Sequence, residues 1–368
     1  MKKHFWVCIA LAVLALFPGC IKKSDDAIRV GIAGPMSGPD GHVGETATHA
    51  AQMAIDEWNE RGGLLGKKIV SIIRDDEGKP EKATTVAQDL VDNKVDVVIG
   101  HLNSGCTIPA SVIYDRAALP EITISSNTTV TERGMNKIFR ICWRDDQQAA
   151  MDARFMREKL KLTKIAVLHN KTSYGEGLAA DLKKFFTAAG GAVVMYQGVA
   201  KEELDFRTEI SLIKSSGAEA IFWGGFYDQS GPFVSQLRQA GLNIPFVAGD
   251  ANVDQNFINT AGANVENVYF SGAIDYLHLP AAKDFLDRYR KKYGTEGAYS
   301  IYGYASATIM LEAIQEAGTL DREKVAAVIH RKTFNTSIGP IAYDEHGDIK
   351  NAVLDMWTVK NGAFTAMH

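Results

Sequence analysis

Short β-branched runs alternate with segments of helical periodicity along most of the chain, and this alternation limits the possible folds more than any other feature. Between the runs, apolar residues recur at helical spacing, as in Ala47, Ala51 and Trp58. Strands that alternate with helices form parallel sheets through right-handed crossovers. Nine runs are too many for one sheet, so the sequence predicts an α/β protein with two doubly wound domains. The runs are residues 28–33, 69–73, 95–99, 122–124, 138–141, 165–168, 192–196, 220–223 and 245–248.

The first twenty residues differ in character from the rest of the chain. Two lysines stand near the start, and an almost uninterrupted apolar run extends from Phe5 to Phe17. This run is shorter than the ~20 residues that a membrane-spanning helix needs, and its flanks are typical of an export signal. The segment ends in a glycine and Cys20, similar to a bacterial lipobox except that phenylalanine replaces the usual leucine. We expect residues 1–20 to be a lipoprotein signal peptide, with Cys20 acylated, and residues 21–27 to be a polar tether. A plainly cleaved secretory signal and a retained membrane helix are the alternatives.

Several classes of function are disfavoured by what the sequence lacks. The formal net charge is −4 and the lysines and arginines form no basic stripe, which argues against a nucleic-acid partner. The glycine spacing of the first loop, Gly31, Gly34 and Gly38, differs from the dinucleotide-binding pattern, and no P-loop occurs. The nine histidines show no zinc-binding spacing, and no Gly-x-Ser-x-Gly nucleophile motif is found. We therefore expect no catalytic activity, no cofactor and no metal ion.

Two cysteines, Cys106 and Cys142, lie outside the first twenty residues. An exported protein can hold a disulfide, but the sequence does not place these two within bonding distance. Both stand among apolar or small residues, so two buried thiols are the alternative to a disulfide.

The segments that follow the predicted strands carry residues suited to a zwitterion. In a doubly wound sheet, ligands bind beyond the carboxyl ends of the strands. Ser104 begins a predicted helix, where its hydroxyl and nearby backbone N–H groups suit a carboxylate; the alternative is that it only caps that helix. Residues 125–129 add small hydrogen-bond donors, and Tyr174 and Phe226 add aromatic rings. Asp250 follows the ninth run and adds an acid for a cation. Together these residues predict a pocket for a molecule with both a carboxylate and an ammonium group.

A series of segments, spread in order from Ile28 to Val359, matches one known family: GPMSGP, AIDEWNERGGLLGKK, DDEGKP, VIGHLNSG, TERG, YGEGLA, GGF, GD, GAYS and IGPIAYDEHGDIK. Through these segments the chain resembles the periplasmic leucine/isoleucine/valine-binding proteins, the substrate-binding components of branched-chain amino-acid ABC transporters. The resemblance implies a type I periplasmic binding fold, with two α/β lobes joined by a three-stranded hinge and the ligand in the cleft between them. The lobes are expected at residues 28–143 with 273–345, and at residues 144–272 with 346–368.

The resemblance also assigns roles to particular positions. Ser104 corresponds to the residue whose hydroxyl and amide bind the ligand carboxylate. Ser126 stands where the family has a threonine that contacts both carboxylate and ammonium, and Ile124 offers a carbonyl oxygen. Asp250 stands at the position of the acid that binds the ammonium group. The implied aromatic contacts, from both lobes, are Tyr174, Phe226 and Tyr299.

Three departures from the family pattern bear on the ligand. Val43 replaces a tyrosine that contacts the ligand side chain, which makes this wall of the pocket smaller. Asp250 is one methylene shorter than the glutamate of the branched-chain binders. The cysteine pair of the best-known members is absent, with Gly78 and Asn103 in those places. An α-amino acid remains the expected ligand, but leucine specifically does not follow.

The function implied by the resemblance is ligand capture by closure of the cleft, without chemistry. We expect an extracytoplasmic, lipid-anchored monomer that binds a branched-chain or other neutral amino acid and delivers it to a membrane permease. The alternative is a sensor of the same fold that responds to an amide or amino acid and acts on a regulatory partner.

Overall fold

The structure, a computed structural model, describes residues 27–367. The predicted signal peptide, its acylated Cys20 and residues 21–26 of the predicted tether lie outside the described residues.

The first sheet is built from five parallel strands, in the order β2-β1-β3-β4-β5. Its central strands are buried along their length, as expected of a parallel sheet covered by helices on both faces. All five predicted runs in this part of the chain are strands. They are β1 (Ile28–Gly34), β2 (Ile69–Asp75), β3 (Val97–Ile99), β4 (Glu121–Thr123) and β5 (Ile138–Arg140).

The second sheet has seven strands in the order β14-β13-β10-β9-β8-β6-β7. The other four predicted runs are parallel strands of this sheet, and β13 and β14 extend its edge in antiparallel pairing. Only residues 361–362 connect β13 to β14, and so short a turn joins antiparallel strands, whereas parallel strands need a longer crossover. The strands are β6 (Lys164–His169), β7 (Ala192–Gly198), β8 (Ala220–Gly224), β9 (Phe246–Ala248), β10 (Val268–Ala273), the separate hairpin β11 (Phe334–Thr336) and β12 (Gly339–Ile341), then β13 (Leu354–Lys360) and β14 (Ala363–Ala366).

Helices cover both sheets and define two lobes. The first lobe consists of the first sheet with α1–α3 and α9–α11, and the second lobe of the second sheet with α4–α8. None of the helices within residues 27–367 has the length and hydrophobicity of a membrane-spanning segment. The helices are α1 (Gly41–Glu60), α2 (Pro80–Asp92), α3 (Ser104–Arg116), α4 (Asp145–Arg154), α5 (Ser173–Ala188), α6 (Arg207–Ser216), α7 (Tyr227–Gln239), α8 (Gln255–Ala261), α9 (Pro280–Tyr293), α10 (Ser300–Ala317) and α11 (Arg322–Arg331).

The chain passes between the lobes three times, after β5, after β10 and before β13. The third passage places helices α9–α11, which come late in the chain, on the first sheet, where α10 packs along α1. These passages lie side by side, so the lobes are joined by a hinge and not by a single tether. The type I periplasmic binding fold expected from the resemblance is confirmed.

A buried ion pair ties the first passage to the third. Arg140, which is fully buried at the end of β5, donates from Nε to Asp348 Oδ1 at 2.7 Å, and Arg144 donates to Asp348 Oδ2 at 3.1 Å. Arg140 also donates to the carbonyl oxygens of Ser125 and Asn127. Burial alone would raise the pKa of Asp348, but the two arginines outweigh it and hold that pKa below its usual value.

Replacement of Asp348 by alanine is expected to destabilise the protein strongly. Asp348→Ala leaves the buried Arg140 without its charge partner, which costs about 3–5 kcal/mol, and the free energy of unfolding in urea measures this loss. The exposed pair Asp205–Arg207 is the control, because solvent screens its charges and Asp205→Ala is expected to change the stability far less than Asp348→Ala does. Equal effects of the two substitutions would contradict this account of the hinge.

The contribution of Asp348 also predicts a pH dependence. Since the pKa of Asp348 is lower in the folded than in the unfolded state, its stabilisation is complete above the unfolded value, near 3.9, and is lost as the pH falls through the folded value. Thermal unfolding of wild type and of Asp348→Asn should therefore differ most at neutral pH and converge toward pH 2. A difference that grows as the pH falls would show the opposite sign.

Candidate functional site

The candidate site is a cleft between the lobes, beyond the carboxyl ends of the strands, and it holds two adjoining cavities. Each cavity has a volume of about 30 Å³. Both are lined by Leu102, Phe226, Asp250, Ala251 and Tyr299. The first is lined in addition by Asn103, Ser104, Ile124, Ser126 and Tyr174, and the second by Asp40, Val43, Tyr227, Val253, Asp254 and Ala298.

All eight residues predicted for the site line these two cavities. Seven of them meet in the first cavity, and Val43 lies in the second. The structure therefore brings together residues that are up to 256 positions apart, from Val43 to Tyr299. Their placement is compatible with ligand binding, but their individual roles stay predictions.

Ser104 lies at the start of α3 and does not cap that helix. The capping position belongs to Asn103, and the Ser104 hydroxyl instead accepts the backbone N–H of Asn127 at 3.3 Å. The first N–H groups of a helix have no partner within it, and among residues 27–367 no acceptor is found for those of Ser104 and Gly105. With the positive end of the helix dipole, they form a site for an anion that faces the first cavity.

Hydrogen bonds from buried residues at the hinge hold the segment after β4 in place. Arg140 holds the carbonyl oxygen of Ser125, and the N–H of Asp145 donates to the carbonyl oxygen of Ser126 at 2.8 Å. The Ile124 carbonyl oxygen accepts from the Cys142 thiol at 2.9 Å, so one of its lone pairs is already engaged. Ser126 is therefore presented to the cavity on a rigid support.

Cys106 and Cys142 are both free and buried, so the structure supports two thiols and not a disulfide. Burial raises the pKa of each thiol well above its usual value. Neither thiolate is available for chemistry at neutral pH.

Asp250 lies in the turn after β9 and is held by tyrosines from both lobes. Tyr174 of α5 donates to Oδ1 at 3.0 Å, and Tyr299, which precedes α10 in the first lobe, donates to Oδ2. Asp250 is 8% exposed, and burial raises its pKa, while hydrogen bonds from Tyr299, Gln148 and Tyr174, in decreasing order of effect, lower it. Because the Tyr299–Asp250 contact spans the cleft, the structure has the cleft closed.

Phe226 forms an apolar wall beside this carboxylate. It precedes α7, and its ring packs on Tyr174 with 5.4 Å between ring centres. The first cavity is therefore lined by polar groups and, on one side, by aromatic rings.

Two further carboxyl groups are buried near Asp250. Asp145 and Asp152 are fully buried, and among the described residues none of the three carboxyl groups forms an ion pair. Burial raises the pKa of Asp145 to about 8, and the charge of Asp250 adds to this rise, so Asp145 is largely protonated at neutral pH. Burial also raises the pKa of Asp152. Asp250, which lines both cavities, is therefore the one of the three that would stabilise a cationic group in the cleft.

The second cavity is apolar along its sides and acidic at its end. Leu102, Tyr227 and Val253 supply apolar surface, and Val43 leaves space that a larger side chain would fill. Asp40 and Asp254 supply carboxylates. Asp40 was not among the predicted site residues. It stands in the loop after β1, and Asp250 was predicted because it likewise follows a strand.

Within residues 27–367, no group of three histidine, cysteine or acidic side chains has the arrangement of a metal site. The geometry is that of a binding pocket with donors for an anion at one side and an acid at the other.

Comparison with known proteins agrees with this geometry. The family model for periplasmic binding proteins matches residues 27–362. The Leu/Ile/Val-binding protein homolog 1 of Brucella suis is 34% identical over 365 residues, which cover 99% of this chain and 98% of the relative.

Two solved structures show the same fold. The leucine-binding protein LivK of Thermotoga maritima superposes with a TM-score of 0.87 at 28% identity, over 93% of this chain and 98% of that one. The branched-chain amino-acid transporter substrate-binding protein LivJ of Streptococcus pneumoniae, in complex with isoleucine, gives a TM-score of 0.84 at 26% identity, over 93% and 99%. The chain therefore belongs to the periplasmic binding proteins, a family of solute-binding proteins.

Proposed function

We propose that this protein is the substrate-binding component of an ABC transporter, which captures a branched-chain or other neutral amino acid and delivers it to a membrane permease. One observation carries the proposal: the first cavity has free helix N–H groups at one side and the Asp250 carboxylate at the other. The relatives' names, which refer to leucine, isoleucine and valine, support the same ligand class.

The carboxylate of the amino acid is proposed to bind at the start of α3. The N–H groups of Ser104 and Gly105 and the hydroxyls of Ser104 and Ser126 supply donors there. Hydrogen bonds to a charged group are about twice as strong as those between neutral groups. Such donors are needed because a buried carboxylate loses its hydration.

The ammonium group is proposed to bind at Asp250, with Ile124 offering its carbonyl oxygen. Asp250 is buried, lines both cavities and forms no ion pair among residues 27–367, so the ligand's positive charge would supply its partner. A small molecule with a carboxylate and no ammonium group would leave the Asp250 carboxylate without a cation. The site therefore favours an amino acid over a simple carboxylic acid.

Binding is proposed to close the cleft by hinge motion. The moving bodies are residues 28–143 with 273–345, and residues 144–272 with 346–368. Contacts across the cleft, such as Tyr227 Oη to the Pro39 carbonyl oxygen at 2.9 Å and Asn127 Nδ2 to the Ser173 carbonyl oxygen at 2.7 Å, exist only when it is closed. A ligand that touches both lobes binds the closed form better and shifts the population toward it. The permease would then recognise the closed shape of the monomer.

A sensor of the same fold is the second candidate. It would use the same cleft, so the structure of the site does not separate the two. Deletion of the gene is expected to abolish uptake of the ligand; normal uptake with altered gene regulation would favour the sensor.

The protein is proposed to be extracytoplasmic and anchored to the membrane through Cys20. A diacylated and N-acylated cysteine carries enough hydrocarbon for stable attachment. Mass spectrometry of the membrane fraction should find the chain beginning at lipid-modified Cys20, and Cys20→Ala should appear in the soluble fraction. An unmodified chain with a later first residue would indicate a plainly cleaved secretory signal.

Asp250→Ala is expected to weaken amino-acid binding by at least ~2 kcal/mol, about 30-fold, because it leaves the ammonium buried without a partner. Isothermal titration calorimetry with leucine, isoleucine and valine measures the loss. Asp287→Ala, on the exposed face of α9, serves as the control and should bind normally. Unchanged affinity of Asp250→Ala would remove this residue from the site.

A further inference from the structure

Asp40 lies at the end of the second cavity and has an unused hydrogen-bond acceptor. The residue is 5% exposed, and its Oδ2 accepts from Asn103 Nδ2 at 3.0 Å. Lys201 Nζ approaches the same oxygen at 3.8 Å from the opposite lobe. No donor among residues 27–367 bonds to Oδ1. This oxygen has no protein donor among the described residues, and Asp40 lines the second cavity, where a ligand could donate to it.

The other acidic residues nearby are already engaged. Asp254 caps α8 by accepting the N–H of Asn256 at 2.7 Å. Asp228, in the first turn of α7, accepts the N–H of Gln229 at 3.0 Å. Both carboxylates thus have a structural role at a helix start, where negative charge is stabilised. Asp40 also stands at a helix start, as the residue before α1, but its side chain makes no hydrogen bond to that helix.

Asn103 adds a second acceptor without a donor. It lines the first cavity next to Ser104, its side-chain amide donates to Asp40, and its own Oδ1 is buried with no hydrogen-bond partner. A buried polar atom without a partner costs free energy, and in native proteins most find one. This second acceptor belongs to the side chain that is hydrogen-bonded to Asp40.

The position of Lys201 indicates what charge a ligand group beside Asp40 can carry. Its ammonium group lies near Asp40 and 5.7 Å from the ring centre of Phe226, which lines both cavities. Burial raises the pKa of Asp40, and the charge of Lys201 opposes that rise. A ligand cation placed between them would meet the lysine's positive charge, while a neutral group with both N–H and C=O could interact with both side chains.

We propose that the second cavity selects an amino acid whose side chain ends in a primary carboxamide, with its N–H group donating to Asp40 and its oxygen accepting from Lys201. Leu102, Tyr227 and Val253 would pack against the methylene part of that side chain. This inference rests on the proposed function, because it assumes that the α-carboxylate and α-ammonium groups occupy the first cavity. It narrows the ligand from neutral amino acids in general to asparagine- or glutamine-like ones.

The test compares ligands of matched shape on the full mature protein, stripped of bound ligand by unfolding and refolding. Calorimetry measures the Kd of leucine against asparagine, and of methionine against glutamine. A site that hydrogen-bonds its ligand discriminates strongly against an analogue that lacks the group. We expect the amide of each pair to bind at least tenfold more tightly. Equal affinities, or tighter binding of leucine and methionine, would overturn the inference.

Two variants locate the preference at Asp40. Asp40→Leu removes the acceptor at similar size and is expected to abolish or reverse the preference. Asp40→Asn keeps an acceptor oxygen and is expected to retain preference for the amide, and it also serves if Asp40→Leu does not fold. A uniform loss of affinity for all ligands in both variants would mean that Asp40 and Lys201 only hold the lobes together, which would also overturn the inference. So would tighter binding of lysine than of glutamine to wild type.

The proposed function has a separate test. If leucine binds and Asp250→Ala abolishes that binding while the Asp40 variants change nothing, the amino-acid site stands and only the amide preference is wrong. If no amino acid binds the wild-type protein, both proposals fall.

Discussion

The hydrogen bonds between Asp250 and its two tyrosines are the interaction on which the geometry of the closed cleft depends. Tyr174 comes from the same lobe as the acid and Tyr299 from the other. The carboxylate is buried, so its charge is stabilised mainly by these hydroxyls and would be stabilised further by a ligand cation. Asp250 therefore couples the positive charge of a ligand to the closure of the two lobes.

The supporting structure is rigid where the ligand carboxylate is proposed to bind and acidic where the ammonium is proposed to bind. Arg140 and Asp348 brace the segment that carries Ser126. Asp145 and Asp152 are fully buried and line neither cavity, and their raised pKa values favour the neutral form. Asp250 lines both cavities, so it is the acid with which the ligand's ammonium would pair.

The sequence predicted the strands well, because β-branched runs bounded by glycine, proline or polar residues are local signals. All nine predicted runs are strands. The final hairpin, β13 and β14, lies outside the nine predicted runs. Its turn carries a local signal nonetheless, because Asn361 and Gly362 both have positive φ and form the Asn-Gly sequence typical of a two-residue hairpin.

Part of the candidate site was also predictable, because some of its residues carry a local signal in the sequence. Residues that follow strands, such as Ser104 and Asp250, could be found from sequence because the fold class places them at one edge of the sheets. The resemblance supplied Val43, which lies on α1, and Tyr299, which precedes α10, and neither carries a local signal. Asp40 was missed because its importance comes from Asn103 and Lys201, which are distant in sequence. Likewise, only three-dimensional packing shows that Cys106 and Cys142 are separate thiols.

The account's central claim is that one ligand satisfies an anion site in the first lobe and an acid in the second at the same time. A crystal structure of the protein with an amino acid that binds in calorimetry tests it most directly. We expect the ligand carboxylate within hydrogen-bond distance of the Ser104 N–H and its ammonium within hydrogen-bond distance of Asp250. A ligand that contacts one lobe only, or that directs its ammonium away from Asp250, would contradict the account.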